Sequence, residues 1–371
     1  MLTFCSFLFS RRSTLALFYL LLLYPAWIRG GTRIAVQFPM VCIAALLLLQ
    51  VIVYLFRKPE LRRALFRDPV VYLGALFLSF LLVQWWNAGR ELILDWEGMK
   101  WVYGAPSHAW LPSAIKRADA AEMLRWFFPA FVLIATMRHA VRTSREVKLT
   151  LNIMCTSASI LASLCAGQWL LARIWAIGLV PSESYCFTSF GYANHAGIYF
   201  VFMLCLSLGL LVDSAFSKRA RSRDVILRSI ASLAVFIGAT LSASRAALIL
   251  ACMVLVGAAL YFVWLSWHRC SKVAFVNRAS SAVAMLLLVL FVVHGAGRDH
   301  LQEEFGSLFD SESARVERVA AGSVSKAFIE DSMLGVRVLL REVAVDIWRD
   351  HIWFGAGGWS QCHMAGTYLD E

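Results

Sequence analysis

Residues 34–56 read IAVQFPMVCIAALLLLQVIVYLF and contain no charged residue. A bilayer core of about 30 Å is crossed by roughly 20 mainly apolar helical residues, so this stretch predicts a membrane span. The same pattern recurs along the chain and predicts about nine spans, near residues 14–29, 34–56, 69–86, 124–141, 150–171, 191–213, 228–243, 246–266 and 279–296. We therefore predict an all-α fold, a polytopic transmembrane helix bundle.

The composition of the whole chain agrees with a membrane protein. Of its 371 residues, 60% are hydrophobic and 16% are charged, whereas soluble domains are about half apolar and about a quarter charged. The nine cysteines are scattered and form no CxxC pair, so they indicate neither a disulfide framework nor a metal site. The sequence also contains no GxSxG, HExxH or Walker A motif, which disfavours soluble hydrolases, proteases and nucleotide enzymes.

The distribution of charge predicts the orientation of the chain. The formal net charge is +11, from 35 Lys and Arg against 24 Asp and Glu. If the amino terminus is cytoplasmic, the inside segments hold 19 of these basic residues but only five of the acidic ones, as the positive-inside rule requires. Because topology explains the net charge, we expect the lipid bilayer as a partner and no nucleic acid.

Two outside segments are long enough to carry function. Residues 87–123 and the two residues before them are rich in tryptophan, which is typical of an interfacial amphipathic segment, with a glycan-stacking platform as the alternative. These tryptophans are Trp85, Trp86, Trp96, Trp101 and Trp110. We predict a transmembrane bundle over residues 1–296 and the start of a large, helical loop on the outer side over residues 297–371. Nine spans followed by an outer segment leave the topology unfinished, so we expect the chain to be a carboxy-terminally truncated piece of a longer protein.

The first candidate motif is FGYANHAG at residues 190–197, at the predicted outer mouth of the sixth span. Asn194 and His195 place hydrogen-bonding groups where a span enters the membrane, which is costly unless they are partnered or useful. Gly191 and Gly197 permit close approach of another backbone. An ordinary helix start with a polar interfacial residue is the alternative.

The second candidate motif is TLSASRAA at residues 240–247, between two apolar runs. Arg245 has no acidic residue nearby in the sequence, and an arginine at this position is expensive to bury. It should therefore face an anion or a water-filled cavity. The alternative is an arginine that snorkels at a tight outer turn.

The third candidate motif is GVRVLLREVAVDIWRDHIWFGAGGW at residues 335–359. Arg337 and Arg341 lie four residues apart on one face of a predicted helix, and the glycine cluster ends that helix. A second face is an apolar stripe of Val336, Leu340, Val343 and Ile347. This helix is either part of a functional site or a surface helix lying on the membrane. The spacing alone does not choose between these two interpretations.

In this order and at these places in the topology, the three motifs resemble those of the O-antigen ligase and O-antigen polymerase superfamily. That superfamily has an Asn-His-x-Ala-Gly element at the start of a span, a Ser-x-Ser-Arg turn, and a periplasmic arginine ahead of a glycine turn. In this chain Arg337 precedes Gly355 by 18 positions. Ile352 stands where the family often has proline. The resemblance covers residues 185–360.

The resemblance implies a membrane glycosyltransferase that takes its glycan from undecaprenyl diphosphate. The active site would face the periplasm from a bacterial inner membrane, and the inverting reaction would use no metal or other cofactor. The acceptor would be the lipid A core, a growing glycan or a protein side chain, so ligase, polymerase and protein oligosaccharyltransferase all stay open. The resemblance implies that two arginines are catalytic and stabilise the leaving diphosphate, namely Arg245 and Arg337. It implies that four residues bind substrate, namely Asn194, His195, Ser244 and Arg341.

The resemblance also implies about twelve spans in the full-length protein. It implies a histidine as the base, which we expect beyond Glu371 because the family places it after the glycine turn. Two alternatives come from other functional classes. One is a lipid-linked glycan flippase or other transporter, although intramembrane acidic residues of the kind that build ion relays are nearly absent. The other is a non-catalytic membrane scaffold.

Overall fold

The computed structural model describes residues 11–31, 33–57, 59–89, 92–95, 100–103, 106–141, 143–175, 189–190, 192–217, 222–242, 244–269, 333–357, 359 and 364. Helices dominate this part of the chain. They are α1 (Arg11–Trp27), α2 (Ile34–Arg57), α3 (Pro59–Arg67), α4 (Pro69–Trp86), α5 (Arg117–Ala140), α6 (Ser144–Trp175), α7 (Ala193–Phe216), α8 (Ser222–Leu241), α9 (Arg245–Arg269) and α10 (Met333–Asp350).

Seven helices in the described part of the chain are long and apolar enough to cross a membrane, namely α2 and α4 to α9. Their mean hydropathy reaches 2.6 in α9. They correspond to seven of the predicted spans, so the polytopic helical bundle is confirmed. The first predicted span is helical as α1, which has 17 residues. The last predicted span, 279–296, and the predicted domain boundary at residue 296 lie outside the described residues.

One short piece of β structure adds to the predicted helices. Strands β1 (Leu92–Asp95) and β2 (Lys100–Tyr103) pair antiparallel, with Leu92 opposite Tyr103 and Asp95 opposite Lys100. The ribbon lies inside the segment 87–123 that the sequence predicted to be interfacial. Its strands contain Leu, Ile, Val, Trp and Tyr, which suit a pleated surface.

The chain divides into two compact units. Unit 1 contains the described residues of Met1–Leu21, Gln37–Ala140 and Ser307–Glu371, and unit 2 contains those of Leu22–Val36 and Val141–Gly306. In unit 1, α4 packs on α5, and the rings of Phe77 and Phe127 meet edge to face at 5.0 Å. Asp68 caps α4 by accepting from the N–H of Val70 at 3.0 Å, and it forms an ion pair with Arg138 of α5.

Unit 2 is a bundle of α6 to α9 around a core of small and aromatic side chains. Gly238 of α8 lies so close to Ala162 and Phe200 that a Cβ there would stand 2.9 Å from the Ala162 Cβ. Small residues at such contacts let membrane helices approach closely. Phe200 and Phe236 fill the space between the helices and are buried.

Three charged side chains and one hydroxyl lie at one end of unit 2, namely Lys148, Asp213, Arg228 and Ser214. Lys148 and Asp213 form an ion pair at 3.0 Å. The Arg228 guanidinium donates to the Ser214 hydroxyl and to the backbone carbonyl of Leu210, so it satisfies the carboxy-terminal end of α7. Because α7 ends and α8 begins here, the start of α7 and the end of α8 lie at the opposite end of the unit.

Candidate functional site

The first motif forms the start of α7. Tyr192 has an extended backbone with φ −147° and ψ 129°, and its side chain does not cap the helix. The first N–H groups of α7 therefore lack a side-chain cap from this residue. The Asn194 amide donates to the Tyr192 hydroxyl at 3.2 Å, and the His195 ring meets the tyrosine ring edge to face at 5.2 Å. These three side chains form one polar and aromatic group at the helix start.

The second motif forms the turn from α8 to α9. The Ser242 hydroxyl donates to the carbonyl of Ala239 at 2.7 Å, in the last turn of α8. The Ser244 hydroxyl accepts from the N–H of Ala247 at 3.4 Å, which makes Ser244 the cap of α9. Both serines are buried, at 0% and 5% exposure. Helix termination and capping thus account for the two serines of the motif.

Helix stability does not account for the arginine of this motif. Arg245 is the first residue of α9, and its side chain lies outside the described part of the structure. The amino-terminal end of a helix carries a partial positive charge, so a cation there is unfavourable by about 0.3–1 kcal/mol. An anion bound at this end would reverse the sign of that term.

Gly197 brings the first and second motifs into contact. A Cβ at this position would stand 2.5 Å from the Cβ of Ala247, 2.8 Å from the Ser242 hydroxyl oxygen and 3.0 Å from the Cβ of Ser244. Only glycine allows α7 to pack this closely against the turn. The starts of α7 and α9 therefore lie side by side, and their partial positive charges add at this end of unit 2.

A buried hydroxyl precedes the start of α7. Ser189 is 3% exposed, and within the described part of the chain its hydroxyl has no hydrogen-bond partner. Leaving a buried polar group without a partner costs about 1–3 kcal/mol. The neighbouring Phe190 ring packs on Gly30, whose φ of +60° is a conformation that favours glycine. Ser189 was not singled out by the sequence.

The third motif forms α10 and the turn after it, in unit 1. Val343 and Ile347 are buried, as the apolar stripe predicted, whereas Leu340 is exposed. Arg341 is exposed. Arg337 lies on α10, and its side chain lies outside the described part of the structure.

The glycine turn after α10 packs on the loop between the ribbon and α5. Gly357 has φ +95°, and a Cβ there would stand 2.6 Å from the Cα of Ala114 and 2.9 Å from the carbonyl oxygen of Ser113. The Gln84 amide at the end of α4 donates to the carbonyl of Phe354 at 3.5 Å. The turn and the end of α4 are therefore tied to one another within unit 1.

Asn87 fixes the loop that receives the glycine turn, and sequence reasoning missed it. Its buried side chain donates to the carbonyls of His108 at 2.8 Å, Leu111 at 3.2 Å and Pro112 at 3.3 Å. Its side-chain oxygen accepts from the N–H of His108 at 2.9 Å. One asparagine directly after a predicted span carries no signal of this role, because its partners lie more than 20 residues away.

The structure thus groups the predicted site residues by unit. In unit 2 it places Asn194 and His195 at the start of α7, and Gly197 of that helix contacts the turn that carries Ser244 and leads into Arg245. In unit 1 it places Arg337 and Arg341 on the helix that leads into the glycine turn. Within the described residues there is no group of three or more His, Cys, Asp or Glu side chains that could hold a metal ion.

Comparison with known proteins gives a family match over part of the chain. No curated protein and no solved structure matches the chain. The family model of O-antigen ligase matches residues 230–370. The match covers Arg245, Arg337 and Arg341 and begins after Asn194 and His195, so the resemblance predicted from the motifs is confirmed over this part. Residues 230–370 of this multi-pass membrane protein are therefore similar to the O-antigen ligase family.

Proposed function

We propose that the protein is an O-antigen ligase-like glycosyltransferase that transfers a glycan from undecaprenyl diphosphate to an acceptor on the periplasmic side of a bacterial inner membrane. The family match supports glycan transfer in general terms. The observation that carries the proposal further is the meeting of the starts of α7 and α9 beside Gly197, with Arg245 as the first residue of α9.

The chemistry asks for stabilisation of a leaving diphosphate. The acceptor oxygen forms a bond to the anomeric carbon while the bond from that carbon to the phosphate oxygen breaks, which inverts the configuration. The electron pair leaves with the polyprenyl diphosphate, and a base takes the hydroxyl proton. Fixed donors aimed at the developing charge are the strongest contribution an enzyme makes to such a step.

Two arginines supply such donors in this proposal. Arg245 adds a guanidinium to the paired helix ends of unit 2, where the backbone already favours an anion. The resemblance assigns a second guanidinium to Arg337 on α10 of unit 1, in the region that matches the family. A guanidinium binds two phosphate oxygens at once through its planar fork. Because these groups carry the positive charge, the scheme requires no metal.

The other predicted residues shape the site around this charge. Ser244 fixes the turn by capping α9. Asn194 and His195, held together through Tyr192, form the entrance for the lipid diphosphate. Arg341 is exposed beside Arg337 on α10 and assists phosphate binding or contacts lipid headgroups. The resemblance assigns the base to a histidine that follows the glycine turn.

The test measures the rate of glycan transfer by the purified full-length protein in detergent. The donor is an undecaprenyl-diphosphate-linked glycan, and a panel of acceptors is offered. Arg337→Ala is expected to lower the rate by about 10²–10³, the usual loss for one such donor. Arg349→Ala is the matched control, because Arg349 lies on the same helix and pairs with Asp346 at the exposed surface. It is expected to keep the wild-type rate.

The acceptor panel separates the remaining possibilities. Transfer to lipid A core identifies a ligase, transfer to a second lipid-linked glycan identifies a polymerase, and transfer to a protein identifies an oligosaccharyltransferase. Tight binding of the lipid-linked glycan with no turnover on any acceptor would contradict the proposal and favour a flippase. Wild-type turnover in Arg337→Ala would contradict the role of that arginine.

A further inference from the structure

Three polar side chains meet between α2 and α5 in unit 1. Gln37, near the start of α2, is 0% exposed. Its amide nitrogen donates to Glu122 Oε1 at 3.4 Å, and its amide oxygen accepts from Arg125 Nε at 2.9 Å. All three lie outside the three motifs and outside the region that matches the family. We call them the Gln37 cluster.

The position of Arg125 is costly. It lies in the first half of the apolar helix Arg117–Arg138, which is long enough to span a membrane. Charged residues inside a span are rare, and they are paired or face a polar ligand. Arg138, at the other end of the same helix, follows this rule because it forms an ion pair with Asp68.

Arg125 is held by a neutral partner instead. Within the described part of the chain, Arg125 and Glu122 form no ion pair with each other, and Gln37 binds each of them separately. The bond from Nε fixes one edge of the guanidinium. Among the described residues its Nη groups have no partner, and the side chain is only partly buried. Within the described ranges, no protein atom binds the edge of the guanidinium that pairs with phosphate oxygens.

The surface beside the cluster is that of a lipid-facing helix. Ile34 and Phe38, which flank Gln37 on α2, are 64% and 67% exposed. On α5, Phe127 is also exposed, two residues after Arg125. Apolar side chains exposed on membrane-length helices contact lipid tails. An anion that reaches Arg125 along this surface therefore belongs to a lipid.

We propose that Arg125, positioned by Gln37, binds the phosphate group of a membrane lipid. The shared chemistry is a phosphate on an apolar chain, which is carried by a prenyl diphosphate or by a phospholipid headgroup. With a phospholipid headgroup, the inference goes beyond the proposed function, because it requires no transfer step and no residue of the three motifs. With a prenyl diphosphate, it rests on the proposed function, because that lipid is the proposed donor. It assigns a role to a charge inside a span that the glycosyltransferase scheme leaves unused.

The test measures lipid binding to the full-length protein in nanodiscs of phosphatidylcholine. One series contains undecaprenyl diphosphate, and a second contains phosphatidylglycerol. Arg125→Gln is expected to weaken phosphate-lipid binding by about tenfold or more, since a charged hydrogen-bond donor is lost. Lys116→Gln is the matched control, because it removes the same charge from an exposed side chain just before α5. It is expected to change binding by less than about twofold.

A second variant distinguishes binding from a purely structural role. Glu122→Gln keeps the shape of the cluster and removes a negative charge near Arg125, so it is expected to tighten phosphate binding by about threefold. If the cluster only ties α2 to α5, Arg125→Gln and Glu122→Gln both lower the unfolding temperature and leave lipid binding unchanged. That result would overturn the proposal.

The two lipid series identify the source of the phosphate. If Arg125→Gln binds only undecaprenyl diphosphate more weakly than wild type does, the site is one for a prenyl diphosphate. If it binds both lipids more weakly, the site accepts phosphate headgroups in general. If Arg125→Gln does not fold, Arg125→Lys replaces it, because lysine keeps the charge and loses the planar fork. Wild-type affinity of Arg125→Lys for both lipids would overturn the fork as the binding element.

Discussion

Replacing Gly197 with alanine tests the contact on which the site in unit 2 depends. The added Cβ would stand 2.5 Å from the Cβ of Ala247 and 3.0 Å from the Cβ of Ser244. Carbon atoms pack at about 3.5–4.0 Å, so the contact with Ala247 is about 1 Å too short. Each of these carbons is fixed to its backbone, and no change of rotamer relieves the overlap. The start of α7 must therefore move away from the turn.

The size of this overlap gives the expected loss in the free energy of unfolding. Overpacking of a close contact destabilises proteins by about 1–3 kcal/mol, and the rigid partners here place Gly197→Ala at the upper end. Alanine is a better helix former than glycine by about 1 kcal/mol, which offsets part of the loss. The net destabilisation is about 2 kcal/mol. Separation of the two helix starts should also lower glycan transfer.

Two other glycines provide matched controls. No atom lies within 4 Å of a Cβ built on Gly209 of α7 or on Gly257 of α9. Gly209→Ala and Gly257→Ala should therefore show only the gain in helix propensity, up to about 1 kcal/mol. The assay is thermal unfolding of each variant in the same detergent, with transfer measured in parallel. If Gly197→Ala were as stable as the two controls, the packing of the first motif on the second would be refuted.

Substitutions at Ser244, Asn87 and Gly357 test, by thermal unfolding, the contacts that support the site. Ser244→Ala should cost about 1 kcal/mol because the α9 cap is lost, and Ser244→Asp should retain stability because aspartate also caps. Asn87→Asp should cost more than about 2 kcal/mol, since it replaces the donor to the carbonyls of His108, Leu111 and Pro112 with an acceptor; stability equal to wild type would contradict that role. Gly357→Ala should destabilise more than Gly355→Ala, because both glycines have positive φ but only the first contacts Ala114; equal losses would show that the turn does not pack there.

The membrane spans could be predicted from sequence because the bilayer dictates their length and polarity. A stretch such as 34–56 has to form a helix that satisfies its own backbone hydrogen bonds, whatever its neighbours are. The helix over the third motif could be predicted for a similar reason, since Val343 and Ile347 recur at helical spacing. The ribbon at Leu92–Asp95 was missed because short strands inside an aromatic loop have no such constraint.

The contacts within the site could be predicted only in part. The motifs identified the turn at Ser244 and the start of α7, but the fit of Gly197 against Ala247 joins positions 50 residues apart. The pairing of Gln37 with Glu122 and Arg125 joins two helices that are also distant in sequence. No local pattern specifies which helices pack together, so these contacts require the structure.

In the proposed reaction, the paired starts of α7 and α9 hold a diphosphate with the help of Arg245. The most direct test of this proposal is the rate of glycan transfer by Arg245→Lys, with Arg223→Lys as a control at an exposed position on α8. We expect Arg245→Lys to lose about a hundredfold in rate, because an ammonium keeps the charge and cannot reproduce the planar fork. We expect Arg223→Lys to keep the wild-type rate. Near-normal transfer by Arg245→Lys would contradict the proposal.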